Sequence, residues 1–126
     1  MAVTKVIEID GREVRFRASA MIPRMYRVKF GRDIFKDFDL LNQAIEKSNE
    51  ENSTLDMFSL EVFENIAYMM AKYGDPGNVP EDVNEWLDQF DTFSIYKILP
   101  QLYELWNVNL HNEVQSKKNL DRLTAR

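Results

Sequence analysis

The sequence predicts a mainly α-helical fold, with an N-terminal β-hairpin followed by about five helices in one compact domain. Three observations carry this expectation. Asp10-Gly11 stands between two alternating apolar runs, the pattern of a tight hairpin. From Ile22 onward apolar residues recur every three or four positions, which is the helical period. The chain has 126 residues, 44% of them apolar, enough for a single hydrophobic core.

The hairpin is expected from Thr4 to Ala18. A type I′ turn needs positive φ at both central residues, which Asp and Gly tolerate. That register sets Ile7 against Val14, Ile9 against Arg12 and Lys5 against Phe16. Ile7, Ile9, Val14 and Phe16 then share one face, and Thr4, Val6, Glu8, Glu13, Arg15 and Arg17 the other. A lone hairpin is marginal in water, so the apolar face must dock on the helices that follow.

A first helix is expected from Ile22 to Phe30, with Pro23 at its start and Gly31 as the left-handed residue ending it. Ile22, Met25, Tyr26 and Phe30 form its inner face. Asp33 caps a second helix, in which Ile34, Phe38, Leu41 and Ile45 recur, and polar Lys47–Ser53 ends it as a mobile loop. The third helix, about Thr54 to Tyr73, has the densest stripe, with Leu55, Phe58, Val62, Ile66, Met69 and Tyr73 inward. Phe63, Ala67 and Met70 widen it, which makes it the central helix. Gly74-Asp75-Pro76-Gly77 stops it.

Pro80 opens a fourth helix with Glu81 and Asp82 in its first turn and Val83, Trp86, Leu87 and Phe90 inward. Asp91 or Thr92 caps a fifth helix that runs to about Asn109, with Ile95, Leu99, Leu102 and Trp106 inward. Pro100 lies inside it and predicts a kink or a two-piece helix. The globular domain is placed at residues 1–112, and 113–126 as a flexible basic tail.

Charge is segregated along the chain. The formal total is −5, yet residues 1–36 carry +5, residues 37–113 carry −13, and residues 114–126 carry +3. With no cysteine and one histidine, His111, disulfides, thiol catalysis and multi-histidine metal sites are excluded. No phosphate-binding loop or serine elbow occurs. Glu81, Asp82, Glu85, Asp88 and Asp91 read as a solvated helix face, since acid–base work needs a cleft that separates their pKa values. No catalytic residue, metal or cofactor is expected, and the chain reads as a non-enzyme. The longest apolar run, Ile66–Ala71, is too short to cross a bilayer, so a soluble intracellular domain is expected.

Two features point to binding. Arg15 and Arg17 share a hairpin face and Arg24 and Arg27 a helix face, a candidate basic patch that supports a small nucleic-acid-associated regulator as the second reading. The −13 body beside it weighs against nucleic acid. Met57, Tyr68, Phe93 and Tyr103 are candidate partner-binding residues, and Met21 is grouped with them as candidate exposed apolar surface, because exposed aromatics and methionines serve at protein interfaces.

The segments IDGREVRFRASAMIPRMYRVKFGRDIF, FENIAYMMAKYGDP and VNEWLDQFDTFSIYKILPQLYELW together resemble tail assembly chaperones of long-tailed bacteriophages and prophages of Gram-positive bacteria, over about residues 4–110. The resemblance implies a chaperone that acts in the host cytoplasm, is absent from the mature virion, and binds the tape measure protein and tail tube subunits. It implies an amphipathic groove between helices, with self-association of the idle protein as a further expectation. Such chaperones are often made in two lengths by a programmed frameshift, for which codons of Ser116-Lys117-Lys118-Asn119 are the candidate site.

Overall fold

A computed structural model describes residues 3–51 and 55–107. The order is β1 (Val3–Ile9), β2 (Arg12–Ala18), α1 (Met21–Phe30), α2 (Ile34–Glu51), α3 (Met57–Gly74) and α4 (Val83–Leu87), followed by α5 over 95–107. The described residues are thus mostly helical with an antiparallel hairpin at the N-terminal side.

The hairpin has the expected register, with Ile7 opposite Val14, Ile9 opposite Arg12 and Lys5 opposite Phe16. Its turn has positive φ at both Asp10 (54°) and Gly11 (78°), as the primed turn requires. Ile7, Ile9, Val14 and Phe16 are buried. β2 lies against α3, and the approach is tightest at Gly74. A Cβ built there overlaps the Arg15 carbonyl oxygen and stands 2.9 Å from its carbon. The hairpin can press onto α3 only because that position has no side chain.

α3 is central and touches β2, α1, α2 and α4. Asp56 caps it, its carboxylate accepting from the Ser59 N–H at 2.7 Å. Residues 66 through 71 are all buried, as befits a helix covered on several sides. α1 ends at Gly31 (φ 69°), and Asp33 accepts from the Phe35 N–H at 2.9 Å to start α2.

Several boundaries differ from expectation. α1 starts at Met21, so Pro23 sits third in the helix; its missing donor still falls among the first-turn N–H groups that lack an intrahelical acceptor. α2 does not stop at Lys47 but continues to Glu51, with Ser48 buried. No glycine or proline interrupts 47–51, and Glu and Lys are good helix formers. α3 begins three residues later than expected, and Phe58 is half exposed with the Arg32 guanidinium 4.9 Å above its ring.

α4 has one short stretch, Val83–Leu87, capped by Asp82. Pro80 and Glu81 lie outside it because the Tyr68 hydroxyl and the Lys72 ammonium bind the carbonyls of Pro80 (2.6 Å) and Val79 (2.8 Å), holding that segment against α3. Asp91 does not cap α5. Its N–H donates to the Asp10 carboxylate in the hairpin turn at 2.8 Å, and α5 starts after Ser94, whose carbonyl accepts from Ile98. α5 runs through Pro100 as one assigned helix, not two pieces. His111, the proposed 112/113 boundary, the basic tail and Lys117–Asn119 lie outside the described residues.

One buried polar network ties α1 to α2. The Tyr26 hydroxyl donates to Asp37 Oδ2 at 2.6 Å, and Arg32 grips the same carboxylate with Nε at 2.8 Å and Nη2 at 2.7 Å. Asp37 is buried, so its charge is acceptable only with these partners in place.

Candidate functional site

A groove of about 310 Å³ opens between α1 and α3, and a polar opening of about 340 Å³ lies between β2 and the segment 75–90. The groove exists because α1 carries two apolar stripes. Ile22, Tyr26 and Phe30 turn inward. Met21, Met25 and Val28, spaced by four and three, form a second stripe on the outer side. Val28 is 70% exposed and Met21 49%, while Met25 is half-buried in the groove wall. Across from them α3 supplies Tyr68, Met69 and Tyr73.

The rim is charged. Lys72 is held by the Val79 carbonyl and by Glu81 Oε1 at 2.9 Å, so that side is neutralised. On the α1 side, the Lys29 ammonium lies over the rings of Tyr68 (5.6 Å) and Phe30 (5.9 Å). It has no carboxylate within 4.0 Å among the described residues. Burial pushes the Tyr68 hydroxyl above its ordinary pKa, and nearby Glu81 and Asp82 add to the shift. The phenol therefore stays neutral and donates to Pro80.

The four candidate partner-binding residues scatter. Met57 is 87% exposed at the start of α3, beside exposed Phe58 and Leu60. Tyr68 is not on the open surface as expected: its ring is buried against Trp86 at 5.8 Å and forms groove floor. The reason is that α3 is covered on more sides than its main stripe implies. Phe93 is half-buried among Phe63, Trp86 and Phe90, with centroids 5.3 to 5.6 Å away. Tyr103 is half-buried against Phe38 and lines a smaller hollow of about 230 Å³ with Phe35 and Trp106, between α2 and α5. The structure does not gather these four into one surface.

The basic candidates are exposed. Arg15 and Arg17 stand on the hairpin face turned away from α3, and Arg24 and Arg27 on the outer side of α1. None has a carboxylate within 4.0 Å among the described residues; the ion pairs formed are Lys5–Glu104, Arg32–Asp37 and Lys72–Glu81. Of the basic N-terminal segment, Arg32 is held in a buried network, and Lys5 and Arg12 reach Glu104 and Gln89 at the surface.

Sequence reasoning missed Val28, Lys29, Met25 and Tyr73 as groove residues. The spacing Met21–Met25–Val28 was the available signal, masked by the stronger inward stripe of the same helix. Among the described residues no cluster of three carboxylate or imidazole groups is placed to hold a metal ion, and no helix is long and apolar enough to cross a membrane. Comparison of the chain with known protein families, curated proteins and solved structures returned no match.

Proposed function

We propose that this chain is a non-enzymatic chaperone of bacteriophage tail assembly, which holds apolar helical segments of the tape measure protein in the host cytoplasm and helps bring tail tube subunits to them. The observation that carries the reading is the solvent-open apolar groove between α1 and α3, walled by Met25 and Tyr73 and edged by exposed Val28. An amphipathic helix laid in such a groove buries its anchors at i, i+3, i+4 and i+7. Methionines adapt to varied side chains, which suits a chaperone that coats a long partner at many places. A shallow groove gives weak binding that polymerising tube subunits displace. The acidic body keeps the loaded complex apart from its neighbours through like charge.

The test is co-expression with a tape measure protein of a long-tailed phage, taken from the neighbouring genes if they encode one. The soluble fraction of the tape measure protein should rise with the wild-type chain and fall back with Val28→Asp, a change at an exposed position. A tape measure protein equally insoluble with and without this chain would remove the reading.

A second reading, a small nucleic-acid-associated regulator, rests on Arg15, Arg17, Arg24 and Arg27 lacking acidic partners among the described residues. It requires binding to random duplex DNA that weakens steeply with salt. Absence of binding at low salt rejects it.

A further inference from the structure

Resting on the groove-binding reading above, we infer that the α1–α3 groove takes an acidic amphipathic helix, with carboxylates flanking its apolar anchors. α1 is ten residues long, about 15 Å, and so matches roughly three turns of a partner helix. Its outer stripe of Met21, Met25 and Val28 is bordered by Arg24 on one side and Lys29 on the other, with Arg27 one step beyond Arg24.

The two rims differ in one respect that decides the partner's charge. On the α3 side, Lys72 is matched by Glu81 and by two backbone carbonyls. On the α1 side, Lys29 lines the groove, and Arg24 and Arg27 stand beyond it on the outer face of the helix; none of the three meets a carboxylate within 4.0 Å among the described residues. Three unmatched cations beside an apolar stripe favour a partner that brings the missing anions. The net charge of −5 points the other way, toward a basic partner. Glu81, Asp82 and Glu85 are close enough to act on the Tyr68 hydroxyl at the groove floor, but they stand on the α3 side. At physiological ionic strength charge interactions fade over about 8 Å, so a helix lying along α1 meets the α1 cations first. Contact-range complementarity sets the preference, and the body charge only slows encounter.

Two helical peptides with the same leucine face, one with glutamate flanks and one with lysine flanks, test this by fluorescence anisotropy against the intact chain. The glutamate peptide should bind about tenfold more tightly at low salt, and the preference should vanish in high salt. The triple charge reversal Arg24→Glu, Arg27→Glu and Lys29→Glu, all at exposed positions, should invert the preference, and Val28→Asp should abolish both complexes. Equal affinity for the two peptides, or affinity for neither, overturns the inference. So does a dimer of the chain alone that Val28→Asp dissolves, because the face would then belong to a second copy. The peptides need no phage protein, so the two failures separate. A glutamate preference without tape measure solubilisation retires the chaperone reading alone, and solubilisation indifferent to the charge reversal retires the acidic-helix inference alone.

Discussion

Gly74→Ala sets two effects of opposite sign against each other. Alanine lowers the entropy of the unfolded chain and is the better helix former, a gain of about 0.4–1 kcal/mol where the backbone tolerates it. Gly74 lies in α3 without a positive φ, so on local grounds the change should stabilise. The packing says otherwise. The new methyl would overlap the Arg15 carbonyl oxygen, with the Arg15 carbonyl carbon at 2.9 Å and Phe16 Cα at 3.3 Å. These are backbone atoms of β2, which no rotamer change can move. Restoring an ordinary carbon–oxygen contact near 3.3 Å requires β2 to retreat by about 1 Å. That lifts buried Val14 and Phe16 off α3, an overpacking cost of about 1–3 kcal/mol. The net is a loss of about 1–2 kcal/mol, or a fall in Tm of several degrees for a domain of this size. Gly77→Ala is the matched control: nothing lies within 4 Å of its Cβ, and its φ is not positive, so it should be neutral or slightly stabilising. Thermal unfolding of both variants by circular dichroism decides the matter. A Gly74→Ala protein as stable as the wild type would refute the claimed contact between the hairpin and α3.

Asp37→Ala strands the buried Tyr26 hydroxyl and frees Arg32, costing about 3 kcal/mol in urea unfolding; the low end of the range for broken buried pairs applies because the Arg32 side chain is 39% exposed and rehydrates. A loss below about 1 kcal/mol would contradict the network. The same network predicts alkaline sensitivity. Burial first, and then the bond to Asp37, raise the Tyr26 pKa. Its contribution is therefore complete below the unfolded value near 10 and is lost as pH climbs toward the folded value. Spectrophotometric titration should show fewer than five tyrosines ionising before the fold is lost, and five ionising in the folded state would be the contrary result. Trp86→Ala removes a buried ring that meets Tyr68, Phe90 and Phe93, and should cost about 3–5 kcal/mol in the same urea assay. Met57→Glu, at a position 87% exposed, should alter stability by no more than about 0.5 kcal/mol; a larger loss would mean that Met57 is covered.

The parts of the fold legible in the sequence are those governed by neighbours along the chain. The hairpin register follows from a turn that only a few residue pairs allow, and the Gly31 and Asp33 boundaries from cap chemistry within one helical turn. What was not legible depends on distant partners. Pro80 and Glu81 have every local mark of a helix start, yet Tyr68 claims the carbonyl of Pro80 and Lys72 that of Val79. Asp91 is a good cap by type, but its own N–H is taken by Asp10, 81 positions earlier. Tyr68 lies off the main stripe of α3, and the Pro80 segment and Trp86 folded over it explain its burial. The groove was hidden for a similar reason. The outer stripe of α1 is readable as a pattern, but its pairing with Met69 and Tyr73 arises only when α1 and α3 meet.

The bond from the Asp91 N–H to Asp10 bears on how the chain acquires its shape. The hairpin turn can close as soon as its own residues are made, since everything it needs lies within Thr4–Ala18. Its apolar face cannot be covered until α3 exists, and its turn is not anchored until residue 91 has arrived. Arg12 reaching Gln89 and Lys5 near Glu104 belong to the same late set. A newly made chain thus carries Ile7, Ile9, Val14 and Phe16 uncovered for most of its synthesis. Loop closure over such separations is slow compared with forming a helix, so final docking of the hairpin should be the late, rate-setting event of folding.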